Sequence, residues 1–259
     1  MSANSDLSSF NLAGRRALIT GSSRGIGAAL AVGLADAGAD VVIHYTGRSD
    51  AANAVAAEVR QRGRRSGVVQ ADLVAEDAPR RVFDGAVAAL GGIDILILNA
   101  SVQLKKNWMN FSRAELDQHY AVNYRSSYEL LQLFAPAMCE RGWGRVLTIG
   151  SVQEVKPHPQ MLPYSSLKHA QTGLALGLAK QLAPLGVTVN ALAPGVILTD
   201  RNAEALGDPD YAAKVRAAIP TGRFGDCTDC VGAALLLCSD AGAYITGQNL
   251  FVDGGLGLA

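Results

Sequence analysis

The sequence predicts an α/β protein, a single doubly wound parallel sheet of about seven strands with helices on both faces. Three observations carry this expectation. Short β-rich runs alternate with longer helical patterns along the chain. The fourth such run, Ile93-Asp-Ile-Leu-Ile-Leu98, is almost continuously apolar, as suits a parallel strand buried on both faces. A glycine-rich turn, Thr20-Gly21-Ser22-Ser23-Arg24-Gly25-Ile26-Gly27, joins the first strand to the first helix.

The elements follow in order. Arg16-Ala-Leu-Ile-Thr20 reads as the first strand, and an apolar helix runs from the glycine turn to about Ala37. Asp40-Val-Val-Ile-His-Tyr45 is the second strand. A helix near Asp50–Gln61 gathers Ala54, Val55 and Val59 on one face, the helical period. Val68-Val69-Gln70-Ala71 is the third strand and Ala78–Leu90 the third helix. Arg145–Ile149, Val187–Ala191 and Asn249–Val252 complete the strands. Two longer helices are expected over Arg113–Glu140 and Tyr164–Ala183. Thr199–Thr221 has Pro, Gly and Asp punctuation with weak periodicity, so a mobile flap is expected there. Residues 1–10 read as a tail and 11–259 as one domain, since α/β chains of this length often form a single unit.

Composition narrows the class. The chain is 259 residues and 27.0 kDa, 49% hydrophobic and 18% charged, which suits a large core. Its 23 basic and 23 acidic residues cancel, so nothing favours nucleic acid or an anionic membrane as a partner. The opening MSANSDLSSF lacks a basic segment followed by an apolar one. No uncharged apolar run approaches the roughly 18 residues of a membrane span. A cytoplasmic location and a small-molecule substrate are expected. Cys227-x-x-Cys230 has no second pair of ligands at zinc spacing. It reads as two small buried residues at a helix start, and no metal is assigned.

The glycine turn is built for a dinucleotide. Glycines let the backbone approach a pyrophosphate, and the helix N-terminus offers free N–H groups and the positive end of its dipole. Gly21, Gly25 and Gly27 stand further apart than the strict G-x-G-x-x-G pattern. Choice of dinucleotide is read at the end of the second strand. An acid there would hold the ribose 2′-OH of NAD. The segment is instead His44-Tyr45-Thr46-Gly47-Arg48-Ser49, with no acid before Asp50. Arg48 offers a fork of donors to a phosphate, Thr46 and Ser49 add hydroxyls, and Arg24 adds a second cation. NADP(H) is therefore the preferred cofactor, with NAD(H) as the alternative.

Four further residues carry chemistry: Asn123, Ser151, Tyr164 and Lys168. Tyr164 and Lys168 stand i, i+4 on one helix face. A free phenol has a pKa near ~10, and an adjacent ammonium favours its phenolate. Tyr164 can then act as general acid in reduction and general base in oxidation. The Ser151 hydroxyl, at a strand end, can polarise a substrate oxygen.

This set, after that turn, resembles the short-chain dehydrogenase/reductase family from about Asn11 to the C-terminus. It is most similar to 3-oxoacyl-carrier-protein-reductase-like members. The resemblance implies a Rossmann-type fold and NADP(H)-dependent interconversion of a carbonyl and a secondary alcohol. It implies that Lys168 also binds the nicotinamide ribose and that Asn123 holds a relay water. Asp72-Leu73 would sit at the adenine, Asn99 would brace the ribose, and Pro194-Gly195-Val196-Ile197-Leu198-Thr199 would meet the carboxamide. Leu98-Asn99-Ala100-Ser101 departs from the family's Asn-Asn-Ala-Gly at both ends. The two long helices would build a homo-oligomer, most simply a tetramer.

For substrate contact the candidates are Gln103, Ser151, Gln153, His158, Tyr164 and Asn202, with Val152, Glu154, Gln160 and Arg201 beside them. They are polar for a long-acyl site. The substrate is thus a 3-oxoacyl-type or a polyhydroxylated carbonyl compound. An NAD-dependent sugar or sugar-acid dehydrogenase is the alternative within the enzyme class. A non-catalytic dinucleotide-binding sensor is the alternative outside it, opposed by the complete Asn–Ser–Tyr–Lys set.

Overall fold

The computed structural model describes residues 7–258. A seven-stranded sheet runs in the order β3-β2-β1-β4-β5-β6-β7, every adjacent pair parallel. The strands are β1 Arg16–Ile19, β2 Asp40–Tyr45, β3 Ser66–Gln70, β4 Ile95–Leu98, β5 Gly144–Ile149, β6 Val187–Pro194 and β7 Asn249–Val252. Seven of the helices place the layers and the site: α1 Gly25–Asp36, α2 Ser49–Gln61, α3 Ala78–Leu90, α4 Arg113–Tyr120, α5 Ser126–Glu140, α6 Leu162–Leu182 and, later, α7 Asp200–Leu206. Two more follow, α8 Pro209–Ala217 and α9 Asp229–Cys238.

Alternate strand residues face opposite layers. Ala17, Ile19, Val41 and Ile43 pack with Leu30 and Leu34 of α1, Val55 and Val59 of α2 and Leu237 of α9. Leu18, Val42, Leu96 and Leu98 pack with Val82 of α3, Leu130 and Phe134 of α5 and Ala175 of α6. Two cores therefore sandwich one sheet, as the apolar runs require.

Several expectations are corrected. β6 extends to Pro194 because its last residues pair with β7, Ala191 opposite Asn249 and Pro194 opposite Val252. The expected flap over 199–221 contains two short helices, α7 and α8. Asp208 caps α8, its carboxylate accepting from the Asp210 and Tyr211 N–H groups. The weak periodicity reflects exposure, since no residue of α7 is buried. The expected helix over 113–140 carries a π turn at Ala121–Arg125. Of the expected tail, Leu7–Phe10 forms a 3-10 turn packed near Asp240–Gly242; residues 1–6 lie outside the described ones.

His44 ties the ends of three strands together. Its Nδ1 accepts from the Gly21 N–H at 3.0 Å and its Nε2–H donates to the Ala71 carbonyl at 3.0 Å. Its own N–H donates to the Ser22 hydroxyl at 3.2 Å. Only the neutral ring can make the first of these bonds. Burial, partly offset by the Ala71 bond and the Asp72 charge, lowers its pKa from 6.5 to about 4. The unfolded chain therefore binds the extra proton between pH 6.5 and 4, and stability falls as pH drops through that window. By pH 5 the loss from this group should be on the order of 2 kcal/mol. Urea midpoints measured from pH 7.5 to 5 should fall more steeply for the wild type than for His44→Gln. Equal slopes would show that His44 is not the buried proton site.

Candidate active site

A cleft of about 1280 Å³ opens at the C-terminal ends of the strands. It lies at the junction of β1 and β4, where the strand order reverses, the usual ligand position of such sheets. The glycine turn forms one wall, and its backbone is held very close. A Cβ at Gly27 would sit 2.5 Å from the Gly21 carbonyl and 2.6 Å from the Asn99 amide. Gly21 itself has φ +64 and faces the Ala100 backbone. Asn99 braces this turn, Nδ2 donating to the Thr20 and Gly21 carbonyls at 2.8 and 2.9 Å. The cradle that a Cβ would fill, and the cations beyond it, fit a dinucleotide pyrophosphate.

Most of the expected cofactor residues line this cleft: Gly21, Ser23, Arg24, Gly25, Ile26, Gly27, Tyr45, Thr46, Arg48, Asp72, Leu73, Asn99, Ala100, Ser101, Pro194, Gly195, Ile197 and Thr199. Two do not. Ser22 is fully buried and donates to the Ile19 carbonyl at 2.8 Å, turned into the fold. Ser49 starts α2 and lies outside the lining. Arg24 and Arg48 both approach one carboxylate oxygen, Asp200 Oδ2, at 3.1 and 3.6 Å.

Ser151, Tyr164 and Lys168 meet at the other end of the cleft. Ser151 lies just beyond β5 and is fixed by Glu154, whose Oε1 accepts from the Ser151 N–H at 2.8 Å. Ser151 and Arg201 line the cleft with Tyr164, and both bear on the ionisation of its phenol. Burial raises the Tyr164 pKa, opposed first by the Arg201 charge and then by Ser151. Burial outweighs the nearby cation, which here is Arg201, while the Lys168 ammonium lies 5.8 Å from the centre of the Tyr164 ring. Lys168 is 1% exposed, and its ammonium donates to the Ile149 carbonyl at 2.6 Å and Gln171 Oε1 at 2.9 Å. Burial, then the Arg201 charge, lower its pKa to about 7, with Glu154 opposing.

Asn123 sits in the π turn and is fully buried. Its amide is committed to Val102, Oδ1 accepting from the Val102 N–H at 2.8 Å and Nδ2 donating to its carbonyl at 2.9 Å. The side chain therefore pins the loop after β4, with one amide N–H and one oxygen lone pair left over. Gln103, Val152, Gln153, His158, Arg201 and Asn202 line the cleft as expected. Burial and the nearby Lys105 charge lower the His158 pKa. Glu154 and Gln160 do not line it: Glu154 is buried between Ser151 and Asn249, and Gln160 is exposed. Cys230 is buried as expected, but Cys227 is half-exposed on the cleft wall.

The sequence reading missed Gln171. It receives Lys168 and donates to the Ser127 hydroxyl at 2.8 Å, tying α6 to α5. Its position i+3 from Lys168 was the available signal.

A family profile described as Enoyl-(Acyl carrier protein) reductase matches residues 21–257. The chain is 34% identical over 242 residues to a 3-oxoacyl-[acyl-carrier-protein] reductase FabG of Staphylococcus epidermidis, covering 93% of this chain and 98% of that one. It is 36% identical over 251 residues to a gluconate 5-dehydrogenase of Gluconobacter oxydans, covering 95% and 96%. A crystal structure of a 3-oxoacyl (acyl-carrier-protein) reductase from Agrobacterium tumefaciens with NADP bound superimposes with TM-score 0.92 at 37% identity, covering 98% and 99%. The chain belongs to the short-chain dehydrogenase/reductase family.

Proposed function

We propose that residues 11–259 act as one domain that interconverts a carbonyl and a secondary alcohol with NADP(H). The observation that carries this reading is the gathering of Ser151, Tyr164 and buried Lys168 at one end of a cleft whose other end is the glycine cradle. When bound there, the dinucleotide supplies or accepts the hydride.

The protein residues handle the proton. Tyr164 is held as a neutral phenol by burial, which suits it to donate to a carbonyl oxygen during reduction. Ser151 hydrogen-bonds the same oxygen and steadies charge that develops on it. Lys168, fixed by Ile149 and Gln171, keeps a proton donor at the floor of the site. Its lowered pKa leaves that proton exchangeable near neutrality. Asn123 holds the loop that forms the adjacent wall.

The cation pair Arg24 and Arg48 supports NADP(H) over NAD(H), and the A. tumefaciens relative carries NADP. The substrate is a 3-oxoacyl-type or polyhydroxylated carbonyl compound. Gln103, Gln153, His158 and Asn202 on the cleft wall favour the polyhydroxylated type, and one relative is a gluconate dehydrogenase. Ketones, β-ketoesters, sugars and sugar acids assayed with each cofactor test this choice. A cytoplasmic location belongs to the same proposal, in keeping with four free thiols.

Tyr164→Phe should lower turnover by ~10²–10⁴-fold and leave NADPH affinity nearly unchanged, because the phenol proton acts in the transition state. Steady-state assays with fluorescence titration of NADPH check both. Retention of more than about a tenth of the wild-type rate would defeat the acid–base assignment.

Arg48→Ala should raise KM for NADPH about tenfold and leave NADH untouched. A charge-assisted bond is worth roughly 1.5–3 kcal/mol, and the exposure of Arg48 places it at the low end. Equal losses with both cofactors would remove the phosphate role.

Exposed Leu116, Tyr120 and Tyr128 on α4 and α5, with Leu162 and Leu176 on α6, support a tetramer. Light scattering should give a four-chain mass. A 27.0 kDa species at micromolar concentration would contradict it.

A further inference from the structure

Asp200 and Arg201, the first residues of α7, reach opposite ends of the cleft. Asp200 Oδ2 alone receives Arg24 Nη1 at 3.1 Å and Arg48 Nη1 at 3.6 Å. These arginines come from different elements, the glycine turn and the start of α2. Arg201 Nη2 donates to the Ser101 carbonyl and hydroxyl, each at 3.0 Å, and its charge lies close enough to act on Tyr164 across the cleft. Thr199, just before, lies against the glycine turn: a Cβ added at Gly25 would be 3.5 Å from its methyl group. The segment 199–201 thus forms a polar strap across the cleft, from the glycine turn to the catalytic tyrosine.

We propose that Asp200 is an internal stand-in for the cofactor's 2′-phosphate and a determinant of cofactor choice. The inference rests on the reading of Arg24 and Arg48 as the phosphate clamp. One oxygen bridging two guanidinium groups is the arrangement a phosphate oxygen would take there. Both ion pairs are more than half exposed, so each is weak. A phosphate carries more charge and more acceptor oxygens than a carboxylate, so it wins the exchange. The 2′-hydroxyl of NADH brings no anion and cannot make the exchange.

The strap is free to leave. No residue of α7 is fully buried, and only Leu206, at the end away from Asp200, packs against a small apolar cluster with Ala212 and Phe224, so the first turn can move with little loss of core. Asn202 Nδ2 donates to the Ile197 carbonyl at 2.8 Å and gives the segment a local pivot. Because Asp200 and Arg201 are consecutive, releasing one pulls on the other. Arg201 then leaves Ser101 and the cleft wall it shares with Tyr164. Occupation of the phosphate clamp would thus prepare the reaction end of the cleft.

Calorimetry with 2′,5′-ADP and 5′-AMP separates the parts, because neither ligand carries a nicotinamide. Asp200→Asn should bind 2′,5′-ADP about three- to fivefold more tightly than the wild type, the equivalent of up to ~1 kcal/mol for the lost competitor. Binding of 5′-AMP should stay within about twofold. In the wild type, 2′,5′-ADP should speed hydrogen exchange of the 200–206 amides and 5′-AMP should not. Unchanged or weaker 2′,5′-ADP binding by Asp200→Asn, or slower exchange of those amides, overturns the stand-in. If Arg48→Ala still removes the preference for 2′,5′-ADP, the phosphate clamp survives that failure. If the wild type shows no such preference, the clamp and the stand-in fall together.

Discussion

The site depends first on how closely the chain passes itself at Gly27. The Gly21 carbonyl and the Asn99 amide occupy the space that any Cβ would need. This contact sets the distance between α1 and the β1 turn, and hence the direction in which the helix N-terminus points. Asn99 then locks β4 to the same turn, and His44 locks β2 and the end of β3 to it. Four strand ends are fixed around one backbone curve. Side chains reaching across the cleft inherit their positions from that curve.

The reaction end obeys a different constraint, burial of charge. An isolated buried ammonium is expensive, and the group responds by losing affinity for its proton. Lys168 does so, yet it keeps two well-placed acceptors, Ile149 and Gln171. Tyr164 moves the other way, toward the neutral phenol. Both shifts reduce charge in a dry site. The two groups, close together in their free values, are thereby pushed apart, and the Lys168 proton becomes the more readily exchanged of the two.

Much of this was legible in the chain. The strands announced themselves as apolar runs, because parallel strands buried on both faces need little else. The glycine turn was legible because no other residue fits, and Ser151, Tyr164 and Lys168 because their spacing follows element geometry. What was hidden depends on contacts between distant segments. The bonds by which Asn123 pins Val102 join residues 21 apart and leave no local pattern. Glu154 looked like a pocket residue and turned inward to Ser151 and Asn249. The pairing of Asp200 with Arg24 and Arg48 joins three separate segments, which no local pattern records. The short helices α7 and α8 escaped because exposed helices carry little apolar period.

The π turn at Ala121–Arg125 solves a problem of phase. Downstream, α5 must aim Leu130 and Phe134 at the sheet. Upstream, α4 must aim His119 at Leu104, beyond β4. Residues advance by about 100° each around an α-helix, so a fixed count between two faces fits only one angle. A turn closed by i→i+5 bonding absorbs one surplus residue and resets that angle. Asn123 sits within the reset, so its amide is delivered to the loop rather than to the sheet. The long helix works as two cams on one shaft, offset so that core and cleft are each met squarely.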